Sequence, residues 1–170
     1  NDTAYATALD LAAAGVAVTV ADHRAAVSAD ILSRAGAKGI AIFPGSGIVD
    51  VDGSKGVKAV KLGGAHAVTI ECDVVGMAGG WSPVVHLSSH GGIKPTYDEA
   101  IAGFVPGGFP STHFGAGAMM GTFGLSAAIA EGSNAGASAA SAAGFGKTRP
   151  VYAPEHATDR SYAILPTWSP

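Results

Sequence analysis

Asp22 is the acidic residue whose position most favours a role in nucleotide binding. It closes the apolar run 16–21. In dinucleotide-binding folds an acid at the end of such a strand holds the ribose hydroxyls, about 20 residues after a glycine-rich turn. Residues 1–15 contain no Gly-x-Gly-x-x-Gly motif, and Asn1 and Asp2 would place a carboxylate beside the phosphates. Two interpretations stay open, a working nucleotide site or a retained scaffold with an empty site, and the missing glycines favour the scaffold.

A second candidate for ligand binding is the glycine turn at the end of the segment 72–83. Gly79 and Gly80 follow an apolar stretch there and precede Trp81. Because glycine has no Cβ, it lets the chain pass close to a ligand or to another backbone. The alternative is a plain turn between two domains.

The third candidate is the run Gly115, Ala116 and Gly117, which opens a segment rich in small residues. Backbone N–H groups at the start of a helix can face a phosphate or the ribityl chain of a flavin. A single Gly-x-Gly is weak support for this interpretation, and tight helix packing explains the same residues.

Several other chemistries are not expected. The six histidines form no metal-ligand pattern, although His86 and His90 could share a helix face. Cys72 is the single cysteine, which excludes an internal disulfide and a Cys-rich zinc site. The formal net charge of −3 argues against nucleic-acid binding. No apolar run reaches about 18 residues, so we expect no transmembrane helix and no membrane partner. A reducing, cytoplasmic location fits this composition.

The first quarter of the chain alternates helix and strand. Residues 4–14 and 24–35 carry apolar side chains at helical spacing, and residues 16–21 and 39–43 are short apolar runs. Continuous apolar runs of this length are typical of parallel strands that are covered on both faces. We therefore predict a parallel α/β sheet with right-handed crossovers.

The pattern then changes to an antiparallel one. Residues 48–51 and 57–62 flank the glycine-containing turn 52–56. Such a turn between alternating runs predicts a hairpin near residues 46–62. Residues 68–71 are a further strand candidate.

The remaining segments are less regular. Pro83 suits the first turn of a helix over residues 84–90. Weaker patterns predict short strands at 96–98 and 113–116 and leave residues 101–105 ambiguous. They also predict a helix over 118–131 that continues through 134–143. Residues 147–170 contain four prolines and are predicted to form an extended connection to a following domain. The chain does not begin with Met, and we expect it to be an internal fragment of a longer protein.

Four stretches of the chain carry a family resemblance. ECDVVGMAGGWSPVVHLSSHGG is the most specific of them, and it is followed by PTYDEAIAGFVPG. NDTAYATALDLAAAG at the start and GAGAMMGTFGLSAAIAEG near the end fit the same pattern. Together they resemble the alpha subunit of heterotetrameric sarcosine oxidase and related amine oxidase and dehydrogenase alpha subunits, over essentially the whole chain.

The resemblance implies a fold and a division into domains. It implies a partial glutathione-reductase-like pair of Rossmann-type dinucleotide-binding folds that is interrupted by the antiparallel hairpin. Residues 1–78 would form the second, NAD-domain-like fold without its first strand. Residues 79–146 would be the return segment that completes the first FAD/NAD-type fold.

The resemblance also implies cofactors and a site. NAD is expected at this region, against Gly79, Gly80 and Trp81 and against the turn at Gly115, Ala116 and Gly117. No catalytic residue and no metal ligand is expected in this segment. Met119 and Met120 stand where small or polar residues are expected, which weakens a polar cofactor contact there.

The complete complex implied by the resemblance is larger and catalytic. It would demethylate sarcosine oxidatively to glycine, release hydrogen peroxide and, with tetrahydrofolate, form methylenetetrahydrofolate. FAD would lie in the beta subunit and FMN at the contact between alpha and beta, with gamma and delta subunits as further partners. The amine and tetrahydrofolate would bind at other domains. The alternative from a different class is a non-catalytic scaffold or interface module of a related FAD/NAD-dependent amine dehydrogenase.

Overall fold

The computed structural model describes residues 1–146, 162, 164 and 165 of the 170 in the chain. These residues form a mixed α/β protein with two compact units. Unit 1 contains residues 1–79 and residue 165, and unit 2 contains residues 80–146, 162 and 164. Apart from residues 162, 164 and 165, the segment predicted to be an extended connection lies outside the described residues.

Unit 1 begins with the predicted alternation of helix and strand. Its first four elements are α1 (Thr3–Ala13), β1 (Thr19–Asp22), α2 (Ala29–Ala37) and β2 (Ala41–Pro44). The two strands pair in parallel, with Thr19 opposite Ala41 and Asp22 opposite Pro44. The parallel pairing is confirmed, and the larger pair of Rossmann-type folds stays a prediction.

The core of unit 1 lies between these two helices and two strands. Tyr5 and Ala8 of α1 pack with Val20, Ala35 and Ile40, all of them less than 9% exposed. The helical spacing of the apolar residues in α1 places Tyr5 and Ala8 on one face, where they meet the strand. This packing fixes the start of α1 beside the end of β1, where the candidate acid lies.

The second helix begins later than the sequence predicts. Residues 24–28 precede α2, and the Ser28 side chain caps the helix by accepting a hydrogen bond from the Ile31 N–H at 3.4 Å. The prediction of a helix from residue 24 is wrong because Arg24 is held by carboxylates at the end of β1. A serine cap therefore defines the helix start.

An antiparallel sheet follows in unit 1. It consists of β3 (Ser46–Asp52), β4 (Ala59–Gly64) and β5 (Thr69–Glu71), in the order β3-β4-β5. The hairpin predicted near residues 46–62 is confirmed by the antiparallel pairing of β3 with β4, which has one irregularity between Ile48 and Asp50. Val60 and Leu62 of β4 are its buried apolar side chains, and Ser46 at the start of β3 is fully buried.

Unit 2 contains a hairpin and a long helix. Its elements are α3 (His86–His90), β6 (Pro95–Asp98), β7 (Gly103–Pro106), a 3₁₀ helix (Gly117–Met120) and α4 (Leu125–Ala142). Within the ambiguous segment 101–105, residues 103–105 belong to β7, which pairs antiparallel with β6, and residues 101–102 lie in the preceding turn. Two predictions are wrong: residues 113–116 form no strand, and the helix predicted from residue 118 begins at Leu125 after the 3₁₀ turn.

Candidate functional site

The end of β1 carries a cluster of four side chains, which we call the Arg24 cluster: Asp2, Tyr5, Asp22 and Arg24. The Tyr5 hydroxyl donates to Asp22 Oδ2 at 2.6 Å. Arg24 Nη2 donates to the same oxygen at 2.8 Å, and Arg24 Nη1 donates to Asp2 Oδ1 at 2.6 Å. The Arg24 guanidinium also lies 5.9 Å from the centre of the Tyr5 ring. One arginine therefore joins the start of α1 to the end of β1.

Both carboxylate oxygens of Asp22 are engaged by the chain itself. Oδ1 accepts the Arg24 backbone N–H at 2.9 Å and Arg24 Nε at 3.1 Å. Burial alone would raise the pKa of Asp22, but the hydrogen bonds from Arg24 and Tyr5 outweigh burial, so that its pKa lies below the usual range. Burial and the bond to Asp22 raise the pKa of Tyr5. The cluster holds Asp22 ionised and Tyr5 protonated.

This arrangement bears on the proposed role of Asp22 in ribose binding. An acid that binds ribose needs carboxylate oxygens directed at the ligand hydroxyls. The Asp22 side chain is 11% exposed and accepts from a guanidinium, a hydroxyl and a backbone amide. Charge-assisted hydrogen bonds are stronger than neutral ones, so the main role of the Asp22 carboxylate is to link α1 to β1.

Gly79 lies in open surroundings at the end of unit 1. A Cβ built on Gly79 would meet no atom within 4 Å, and its φ is not in the left-handed region. Neither packing nor backbone conformation therefore requires glycine at this position in the described residues. A substitution here tests ligand contact without a structural side effect.

Gly80 and Trp81 open unit 2. Gly80 has φ +103°, a conformation that favours glycine. The Trp81 side chain belongs to a residue that is 60% exposed, and its backbone N–H donates to the Tyr162 hydroxyl at 2.5 Å. Tyr162 in turn packs against Phe123, with ring centroids 4.7 Å apart.

The turn at Gly115, Ala116 and Gly117 contains two glycines with different surroundings. A Cβ on Gly115 would overlap the Phe109 ring and lie 2.9 Å from Met120 Sδ, so packing requires glycine there. Gly117 has φ +68°, and its nearest neighbour would be Ala128 Cβ at 3.6 Å, so backbone conformation requires glycine there. Both requirements are met without any ligand.

Glu131 of α4 binds this turn directly. The Gly117 backbone N–H donates to Glu131 Oε2 at 2.8 Å, and Thr122 Oγ1 donates to Glu131 Oε1 at 2.5 Å. The backbone amide that was expected to face a phosphate or a ribityl chain thus faces a carboxylate. A phosphate could bind that amide only if Glu131 were displaced.

An open cavity of about 470 Å³ borders the turn in unit 2. Its lining combines aromatic and sulfur-containing side chains with a few polar groups: Phe109, His113, Phe114, Met120, Glu131 and Asn134, with Gly115, Ala135 and Ser138 completing the wall. Apolar walls with few polar groups are typical of sites for organic ligands. Of the six residues predicted to bind cofactor, Gly115 lines this cavity.

Three functional candidates were missed by sequence reasoning. Arg24 bonds Asp2 and Asp22 in the first region, and Glu131 accepts hydrogen bonds from the Gly117 amide and the Thr122 hydroxyl in the second. The spacing of Arg24 two residues after Asp22 was a usable signal, because a side chain there can return to the carboxylate. No local pattern links Glu131 to Gly117, since 14 residues separate them.

The described residues contain neither a cluster of metal ligands nor a membrane-spanning helix. In residues 1–146, 162, 164 and 165, no three His, Cys, Asp or Glu side chains lie together in a way that could hold a metal ion. None of the helices in this part of the chain is both long and apolar enough to cross a membrane.

The chain is a mixed α/β protein with similarity to oxidoreductase subunits. It is 37% identical over 175 residues to sarcosine oxidase subunit alpha of Corynebacterium sp. (strain P-1), which covers 89% of this chain. It is 36% identical over 135 residues to the alpha subunit of Rhizobium meliloti (strain 1021), covering 78% of this chain, and 34% identical over 175 residues to that of Corynebacterium sp. (strain U-96), covering 89%. No family model matches the chain.

These comparisons confirm the resemblance carried by the four sequence stretches. The chain is similar, over most of its length, to part of the sarcosine oxidase alpha subunit. It spans 18% of the two Corynebacterium relatives and 13% of the Rhizobium relative.

Proposed function

We propose that this chain is a segment of the alpha subunit of a sarcosine oxidase-type complex. The single observation that carries the proposal is the 37% identity over 89% of the chain to a sarcosine oxidase alpha subunit. The complete complex would oxidise sarcosine to glycine with release of hydrogen peroxide, and with tetrahydrofolate it would form methylenetetrahydrofolate. FAD in the beta subunit, FMN at the alpha–beta contact, and the gamma and delta subunits belong to the same proposal.

We propose further that this segment contributes to NAD binding. The support is the open cavity of about 470 Å³ beside Gly115 and the unobstructed surroundings of Gly79. Phe109, Phe114 and Met120 offer apolar surface to a planar ring, and Asn134 offers an amide. When bound, NAD is a two-electron carrier. The residues of this segment would hold and orient it.

The end of β1 fits a nucleotide poorly. Asp22 is engaged by Tyr5 and Arg24, and Asp2 is paired with Arg24 at 2.6 Å. A pyrophosphate beside Asp2 would approach a carboxylate, which is unfavourable electrostatically. The proposed NAD contacts therefore lie away from the end of β1, and the Arg24 cluster has a structural role.

A scaffold without nucleotide is the second candidate. It is favoured by the contact of Glu131 with the Gly117 amide, which gives that backbone group a protein partner at 2.8 Å. In this alternative Gly80, Gly115 and Gly117 serve packing and conformation only, and glycine at position 79 has no role. This segment would then make no contact with NAD.

The two candidates are separated by the cofactor content and activity of the complete complex. The experiment purifies the complex that contains this chain, releases its bound nucleotides and identifies them, and assays hydrogen peroxide formation with sarcosine and with other secondary amines. Sarcosine-dependent peroxide formation with about one NAD per alpha subunit supports both parts of the proposal. Peroxide formation without bound NAD supports the scaffold, and the absence of amine oxidation overturns the proposed activity.

A further inference from the structure

We infer that Glu131 is a positioning residue, which fixes the Gly115–Gly117 turn in the conformation that a dinucleotide meets. The inference rests on the proposed function, because it concerns the same cavity. It adds a residue of α4 whose carboxylate accepts a hydrogen bond from the Gly117 amide. Glu131 is assigned no direct part in redox chemistry.

The first support is that each oxygen of the Glu131 carboxylate has its own donor. Oε2 accepts the Gly117 N–H at 2.8 Å, and Oε1 accepts the Thr122 hydroxyl at 2.5 Å. The two donors lie on either side of the 3₁₀ helix, one at its beginning and one just after its end. The Glu131 carboxylate therefore bridges the two ends of the 3₁₀ helix.

The second support is that Glu131 supplies a side-chain bond to the Gly117 amide. This bond adds to the packing of Phe109 on Gly115 and to the backbone bond from the Thr122 N–H to the Gly117 carbonyl oxygen at 3.2 Å. Ala116 and Gly117 carry no long side chain, and glycine loses more conformational freedom on ordering than any other residue. Ala128 lies one helical turn before Glu131, on the same face of α4, and its Cβ would be 3.6 Å from a Cβ on Gly117. The turn thus rests on one face of α4, and Glu131 supplies the polar link.

The third support is the position of Glu131 in the cavity wall. Glu131 lines the cavity together with Gly115 and Met120. A change in the Gly117 backbone would therefore change the shape of the cavity. Ligand affinity depends on such preorganisation, because a mobile turn must be ordered on binding.

The test compares Glu131→Ala with Glu131→Gln in the complete complex. The Gln side chain can accept the Gly117 N–H through its carbonyl oxygen and donate its NH₂ to Thr122 Oγ1, whereas Ala can do neither. Ser141→Ala, on an exposed position near the end of α4, is the matched control. Three quantities are measured: the exchange rate of the Gly117 amide, the affinity for NAD and the melting temperature.

We expect Glu131→Ala to raise the exchange rate of the Gly117 amide and to weaken NAD binding, each by about tenfold or more, at a nearly unchanged melting temperature. Glu131→Gln should remain within about threefold of the unaltered complex in both quantities, and Ser141→Ala should not differ from it. If Glu131→Ala does not fold, Thr122→Val removes one of the two bonds and should show a smaller loss in the same direction.

Two results would overturn the inference. One is an unchanged Gly117 exchange rate in Glu131→Ala or, where that variant does not fold, in Thr122→Val. The other is faster exchange with unchanged NAD affinity, which would limit Glu131 to local structure. If the unaltered complex binds no NAD, the proposed function fails separately, and the exchange rate alone decides whether Glu131 fixes the turn.

Discussion

The hydroxyl of Tyr5 and the carboxylate of Asp22 are joined by a 2.6 Å hydrogen bond between the first helix and the first strand. Tyr5 is 3% exposed, so its ring belongs to the core while its hydroxyl serves the acid at the end of β1. Tyr5, which apolar spacing places on one face of α1, thus occupies an oxygen of Asp22, the candidate ribose-binding acid.

Removing the Tyr5 hydroxyl should destabilise the fold without disturbing its packing. Tyr5→Phe keeps the ring beneath the Arg24 guanidinium and deletes a hydrogen bond to a charged group, which is worth about 1.5 kcal/mol or somewhat more. We expect the free energy of unfolding to fall by about that amount in denaturant titration. Asp50→Asn changes an exposed ion pair with Lys61 and serves as the control, with little expected effect. An unchanged stability of Tyr5→Phe would show that the bond contributes nothing net.

The stability should depend on the ionisation of Asp22. Because its pKa is lowered in the folded state, the folded state binds fewer protons than the unfolded chain. The stabilisation is therefore complete above the unfolded pKa, about 4, and is lost as the pH falls through the folded value.

The variant Asp22→Asn isolates this contribution. Its free energy of unfolding should fall less steeply than that of the unaltered protein when the pH drops below about 4. Chemical unfolding at a series of pH values measures both slopes. Equal slopes of the free energy of unfolding against pH in the acidic range would contradict the prediction.

The same glycine-to-alanine change should have opposite effects at two positions of unit 1. Gly64 has φ +102°, and a Cβ there would overlap the carbonyl oxygen of Gly45, so Gly64→Ala should destabilise by about 2 kcal/mol or more. Gly36 lies within α2 with nothing within 4 Å of a Cβ. Gly36→Ala should stabilise by about 0.5–1 kcal/mol. Thermal unfolding of both variants measures the direction of each change in stability. A stabilising Gly64→Ala would refute the conformational requirement at Gly64, and a destabilising Gly36→Ala would refute the prediction for Gly36.

Gly79→Val should lower the NAD content of the complete complex without lowering its melting temperature. A Cβ there meets nothing within 4 Å, so a loss of cofactor at an unchanged melting temperature reports contact with the ligand. Gly76→Val is the matched control, because Gly76 is equally unobstructed and lies three residues earlier. Normal NAD content in Gly79→Val would remove Gly79 from the site. Gly117→Val is a weaker test, since φ +68° makes it strained in any case.

Asp22→Ala should weaken NAD binding by less than about tenfold, or roughly 1.4 kcal/mol. The reason is that both carboxylate oxygens already accept hydrogen bonds from the chain. Titration of the complete subunit with NAD measures the effect. A larger loss would mean that the end of β1 binds nucleotide after all.

Local patterns predicted the first half of the fold well. Apolar spacing indicated α1, and short apolar runs indicated β1 and β2, because these elements bury one face or both. The start of α2 was missed by five residues, since the ion pairs of Arg24 with Asp2 and Asp22 outweigh the helical preference of residues 24–28. The pair of Arg24 with Asp2 joins positions 22 residues apart, and no local pattern contains it.

The second half and the site were harder to predict. The turn between β6 and β7 contains Ala102 with φ +49°, a conformation that alanine sequences do not signal. Residues 113–116 have strand-like composition, but they have no strand partner among the described residues. The sequence indicated Gly115 and Gly117 but not their partners Phe109 and Glu131, because packing and long-range hydrogen bonds decide those contacts.

The exposure of Trp81 gives the protein an optical reporter beside its candidate cofactor region. The chain has two tryptophans, and the other, Trp168, lies outside the described residues. Replacing Trp168 by Phe would leave an indole that is 60% exposed as the dominant fluorophore of this segment. Its emission would be red-shifted in water and would move to shorter wavelength when a partner domain or a planar ligand covers it, so that assembly could be followed in real time without a label.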